Sequence, residues 1–95
     1  MQQTSIHADI IPNLQSFVRH LRAENSSPKT QETYTESVRQ LVKYLERQGM
    51  PLAVADVRRQ HIESFIAYLL ETRKPATANN RYRGLQSFFK WLVSE

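Results

Sequence analysis

Apolar residues recur along this chain at intervals of three and four, and no segment shows sustained period-two alternation. The pattern predicts helices and no sheet. Residues 1–11 have no clear periodicity and read as a flexible N-terminal tail. Pro12 suits a first helical turn, and Leu14, Phe17, Val18 and Leu21 follow at helical spacing until about Asn25. Ser26, Ser27 and Pro28 then combine turn chemistry with a new start signal, Ser27 as N-cap and Pro28 at the first helical position. Tyr34, Val38, Leu41, Val42 and Leu45 mark one face of this second helix, and Gly49 stands where a C-cap glycine belongs. Residues 50–57 form a connection whose Leu52, Val54 and Val57 are expected to anchor on the core. A third helix starts near Arg58 or Arg59. Ile62, Phe65, Ile66, Leu69 and Leu70 cover more than half its circumference, which predicts the most enclosed helix of the set. Pro75 breaks it, and Thr77 is the expected cap of a fourth helix with a buried stripe of Ala78, Tyr82, Leu85, Phe88, Phe89 and Leu92. The fold expected is all-α, a four-helix orthogonal bundle over residues 12–95.

Composition narrows the class without changing that picture. The chain has 95 residues, enough for a single core, and 40% of them are hydrophobic with only two glycines and four prolines, which argues for an ordered domain. It has no cysteine, which excludes disulfides and thiolate metal sites. The longest apolar runs, as at residues 52–55, are far shorter than the roughly twenty residues of a membrane span, and the N-terminus lacks a signal-peptide pattern. A cytoplasmic location with no membrane association is the expectation.

Charge singles out one part of the chain. The net charge is +4. Residues 1–71 hold eight basic and eight acidic side chains and are neutral, whereas residues 72–94 hold Arg73, Lys74, Arg81, Arg83 and Lys90 and no acid. An acid-free basic stretch is a candidate surface for an anionic partner.

At 100° per residue, Leu85 and Leu92 face inward on the fourth helix, and Asn79, Asn80, Arg83, Ser87 and Lys90 fall on the opposite side with Gln86 beside them. Amides pair bidentately with adenine and guanidinium with guanine, while lysine and hydroxyl side chains more often hold phosphates. Thr77 and Arg81 join this set of candidate contacts. Gly84 is expected on the outward side too, where backbone could approach a ligand closely. A plain solvated helix face would have the same amphipathic pattern, and only the absence of acids favours a site. On the second helix, Lys29, Arg39, Lys43 and Arg47 point broadly outward, but Glu32 and Glu36 share that surface. Thr30 and Thr33 lie near the positive end of its dipole, where hydroxyls could meet phosphate.

Other residues read as structure. His7, His20 and His61 lack metal-ligand spacing, and the four tyrosines are spaced as packing aromatics. Trp91 projects from the edge of the buried stripe and is expected against the tail, the first helix or a further domain. No paired carboxylates, nucleophile–base set or glycine loop argues for catalysis, a metal or a cofactor in these residues.

The order of these features resembles a known family. Ser27, Pro28, Lys29 and Thr30 followed by Tyr34, Val38, Leu41, Tyr44 and Leu45 are similar to the second helix of the tyrosine-recombinase (phage integrase) core-binding domain. Ala55, Asp56 and Val57 before Ile62, Phe65 and Leu69 resemble its entry into the third helix, and residues 77–92 resemble its last helix. The likeness covers residues 14–95. Ser37 departs from the family's frequent Asp, and Gln86 from its frequent Arg.

What the resemblance implies is a SAM-like N-terminal domain that forms half of a DNA clamp, with its second and fourth helices against the major groove of a recombination site. The partner is then double-stranded DNA, contacted by residues drawn from Thr30, Thr33, Lys43, Thr77, Asn79, Asn80, Arg81, Arg83, Gln86 and Lys90. The catalytic machinery lies in a C-terminal domain expected after residue 95, so this segment is itself no enzyme. The isolated domain is expected to be monomeric and the parent oligomeric on DNA. The alternative is a helical interaction domain that grips an acidic partner with Trp91, Phe88 and the basic face.

Overall fold

The first helix starts earlier than the sequence pattern predicts. The computed structural model describes residues 9–94. The tail expected over residues 1–11 therefore falls mostly outside the described residues, but its last three residues do not behave as one. Helix α1 spans Ile10–Ala23, and Ile10 is only 1% exposed. Its N–H donates to the Leu52 carbonyl at 3.1 Å, and Asp9 forms an isolated antiparallel bridge with Ala53. The chain entry is thus stitched to the connection near Leu52, a long-range pairing that no local periodicity could reveal.

Helix α2 spans Pro28–Gln48 and starts and stops as its residues dictate. The Ser27 hydroxyl accepts from the Thr30 N–H at 3.1 Å, Pro28 occupies the first turn, and Gly49 closes the helix with a φ of 67°, a left-handed conformation that glycine adopts without steric cost. A short 3-10 turn at Val54–Asp56 leads into α3, Arg59–Thr72, and α4 spans Pro75–Ser94. Thr77 does not cap α4 as expected. Pro75 already occupies the first turn, and the Lys74 carbonyl accepts from the N–H groups of Thr77 and Ala78 at 3.0 and 3.3 Å. No strand is present among the described residues, and the fold is an all-α bundle.

Helix α2 is the centre of the packing, in contact with each of the other three helices, and its pairing with α4 is the most extensive. Val38, Leu41, Val42 and Leu45 are buried along it, and Leu52, Val54 and Val57 pack on the core as the anchors they were expected to be. Phe17 joins three elements. Its ring lies 5.4 Å from Phe88 in an edge-on arrangement, 5.4 Å from Trp91 and 6.4 Å from Tyr34. A second aromatic group, Tyr44 with Phe65 and Tyr68 at 5.4 and 5.3 Å, ties α2 to α3, and the Tyr44 hydroxyl is hydrogen-bonded to Ser64.

Two expectations about burial are corrected. Helix α3 is not the most enclosed: only Phe65 and Leu69 are buried on it, and Leu70 is 54% exposed. It packs chiefly on α2 and α4, so its wide apolar arc outruns the surface available to cover it. Gly84 is not on the outer side of α4 but buried at the crossing with α2, and the buried arc is rotated so that Tyr82 is left 43% exposed. A Cβ at Gly84 would stand 2.6 Å from the Ser37 Cβ, closer still to its hydroxyl, and 3.4 Å from the Tyr34 Cα. Ser37 is fully buried there, its hydroxyl donating to the Thr33 carbonyl at 2.8 Å.

Gly84→Ala is expected to destabilise the domain by about 1–3 kcal/mol from overpacking, reduced by at most about 1 kcal/mol of helix propensity. Adding Ser37→Gly should recover part of that loss, and urea unfolding of the two single variants and the double variant measures the coupling. Phe17→Ala is expected to cost about 3–5 kcal/mol. It should also change the emission of Trp91, the one tryptophan, because that indole loses its ring neighbour.

Candidate functional site

The exposed side of α4 carries a straight row of polar side chains. Asn79, Arg83, Gln86 and Lys90 are spaced four, three and four residues apart, which places them within about 60° of one another around the helix axis. All four are exposed, and none has a hydrogen bond or ion pair to another described residue. Elsewhere many polar side chains are committed. Lys29 pairs with Glu32 at 3.9 Å and Arg59 with Glu63 at 3.4 Å, Arg19 donates to the Ser16 hydroxyl at 3.0 Å, and Arg47 lies over the Tyr68 ring at 5.5 Å. The α4 row is therefore a set of uncommitted donors and acceptors in a segment without acids.

The α2–α4 crossing decides what stands beside that row. Ser37 and Gly84 mark the contact, and helix periodicity fixes their neighbours. On the core side these are Tyr34 and Leu41 of α2, with Arg81 and Phe88 of α4. On the outer side they are Thr33 and Gln40 of α2, with Asn80 and Ser87 of α4. The two helices thus present one joint polar surface. Its α2 edge is less positive than its α4 edge, because Gln40 donates to Glu36 at 2.9 Å and keeps a carboxylate on that side.

The ten candidate contacts separate accordingly. Asn79, Arg83, Gln86 and Lys90 form the row, and exposed Asn80 flanks it toward α2. Thr33 lies half-buried beside the crossing. Thr30 belongs to the N-cap of α2, its hydroxyl accepting from Ser27 at 3.0 Å. Lys43 is exposed farther along α2 and lines a groove of about 240 Å³ with Gln40, Arg47, Tyr68 and Arg73. Thr77 is half-buried in the first turn of α4. Arg81 is not brought into the row. It falls on the inward arc, half-buried, with its Nε enclosed and without a hydrogen-bond partner among the described residues.

Gln40 is a surface residue that the sequence pattern did not single out. The signal was present: it follows Ser37 by three residues, but only the Gly84 contact shows that Ser37 marks the helix crossing. Trp91 packs on α1, 5.4 Å from Phe17 and 5.8 Å from His20, one of the places expected for it. Among the described residues no group of three His, Asp or Glu side chains is arranged to hold a metal ion. No helix among the described residues is long and apolar enough to cross a membrane. His20 is engaged with Glu24 at 3.4 Å, and the His61 Nδ1 accepts from the Arg58 N–H at 2.8 Å, capping α3. A groove of about 360 Å³ runs between α3 and α4, lined by apolar Val57, Ile62, Tyr82, Leu85 and Phe89 and by polar Arg58, Arg59, Glu63 and Gln86.

No curated protein and no solved structure matches the chain. A family model does: phage integrase, N-terminal SAM-like domain, over residues 14–95. That match takes in all of α2, α3 and α4 and all but the first turn of α1, the same helices whose packing builds the polar surface. The chain belongs to the phage integrase N-terminal SAM-like domain family.

Proposed function

We propose that this domain binds double-stranded DNA as one half of the clamp of a tyrosine recombinase, through the joint surface of α2 and α4, with catalysis supplied by a separate domain of the parent protein. The observation that carries this is the uncommitted row on α4 in an acid-free segment. DNA presents one negative charge per about 1.7 Å of duplex axis, so a surface whose cations are not already paired releases counterions on binding at little internal cost. Lys90 and Lys43 are assigned to phosphates, as are the hydroxyls of Thr30, Thr33 and Thr77. Arg83, Asn79, Asn80 and Gln86 have the chemistry to reach base edges. Arg81 takes part only through its outer guanidinium nitrogens, since its Nε is enclosed.

A second reading is favoured by the apolar groove between α3 and α4. An amphipathic helix of an acidic partner would seat its apolar side there, with its acids toward Arg58, since Arg59 is paired with Glu63. This differs from a grip by Trp91 and Phe88, whose rings pack against Phe17. Amide shifts separate the two readings: DNA should move Asn79, Arg83 and Lys90, whereas an acidic peptide should move Ile62, Tyr82 and Phe89; Gln86 lines the groove as well as the row and does not discriminate.

Titration of a labelled duplex at low salt should give weak, saturable binding. Its log affinity should fall by about 0.9 per tenfold increase in salt for each phosphate neutralised. Arg83→Glu should reduce affinity severalfold without changing the unfolding midpoint, because that side chain is exposed and unpaired. Lys90→Ala should lower the salt slope by about one unit, with a similar loss on every sequence. A flat titration, or Arg83→Glu binding as well as the parent chain, would count decisively against DNA binding.

A further inference from the structure

The α4 row has an internal order. Arg83 lies between two amides, Asn79 four residues before it and Gln86 three residues after it, and all three are exposed and free of internal partners. Lys90 follows on the same line, so the row extends for about 16 Å along the helix. Side chains three or four residues apart on a helix in the major groove can reach successive base pairs. Each of the three groups has a preferred bidentate partner. Guanidinium spans the two acceptors of guanine, and a carboxamide spans the acceptor and donor of adenine. Asn80 is turned about 100° from Asn79, toward the α2 crossing, and so stands on the phosphate side of the row.

Resting on the DNA-binding reading above, we infer that α4 selects a short base pattern: a G·C pair met by Arg83, flanked on each side by an A·T pair met by Asn79 and by Gln86. Specificity then resides in α4, while α2 adds affinity with little base discrimination. The asymmetry has a physical basis. The outer-side groups on α2 nearest the crossing are two half-buried residues, Thr33 and Gln40, and the Gln40 amide already donates to Glu36, so that edge has less free bidentate capacity.

The test uses the 95-residue chain at low salt with a pool of duplexes randomised over four central base pairs within constant flanks. The bound fraction should be enriched in G·C pairs with A·T on both sides. In defined duplexes, replacing the central pair or either flanking pair should weaken binding by about tenfold. Arg83→Ala should erase the preference at the central pair and leave the flanking preferences in place. Gln86→Ala should relax one flank only, and Gln86→Glu should shift that flank toward cytosine, whose amino group a carboxylate accepts. Circular dichroism and Trp91 emission check that each variant is folded. Binding without this pattern, or an Arg83→Ala variant weakened equally on all sequences, would overturn the inference and leave DNA binding standing. Failure to bind any duplex would remove both.

Discussion

The architecture depends on how closely α2 and α4 approach each other at Ser37 and Gly84. A hydrogen atom in place of a side chain at Gly84 lets α4 settle against Ser37 and the backbone of Tyr34. Ser37 in turn is small and satisfies its hydroxyl within its own helix, on the Thr33 carbonyl. A buried hydroxyl without such a partner would be costly, so this internal bond is what makes a polar residue acceptable at the tightest point of the core. Everything on the outer surface follows from that spacing. It brings Thr33 and Gln40 beside Asn80 and Ser87 and makes two amphipathic helices into one polar face.

The aromatic residues hold this crossing from behind. Phe17 brings α1 against Phe88 and Trp91 of α4 and Tyr34 of α2, so α1 acts as a clasp across the pair. The bridge between Asp9 and Ala53 and the Ile10 to Leu52 hydrogen bond fasten the start of that clasp to the connection after α2. On the other side, Tyr44, Phe65 and Tyr68 attach α3, which carries more apolar surface than the bundle covers. The face that carries the uncommitted donors is therefore supported by rigid helix packing, whereas the apolar groove lies on the side where packing is incomplete.

Charge distinguishes these surfaces. Arg19 on α1, Lys29 at the start of α2 and Arg59 on α3 each sit within reach of a carboxylate or a side-chain acceptor, and exposed pairs of this kind contribute little to stability. Helix α4 has no acid of its own over Pro75–Ser94, and its Arg83, Lys90, Asn79 and Gln86 face solvent without internal competition, whereas Arg81 turns inward. The match to the phage integrase N-terminal SAM-like domain covers residues 14–95, and this surface lies within it.

Much of this was legible in the residues themselves. The number and order of the helices follow from apolar spacing, the limits of α2 from Ser27, Pro28 and Gly49, and the candidate row from the absence of acids over residues 72–94. These are local properties, set by hydrogen-bond geometry within one helix and by the composition of one segment. The start of α1 at Ile10, the incomplete cover of α3, the burial of Gly84 and the exclusion of Arg81 from the row were decided only by tertiary structure. Periodicity says that a helix has an apolar side, but not which neighbour meets it or at what rotation. A shift of the buried arc of α4 is enough to carry Gly84 inward and Tyr82 outward, and the small side chain that Gly84 meets there, Ser37, lies 47 residues earlier in the chain.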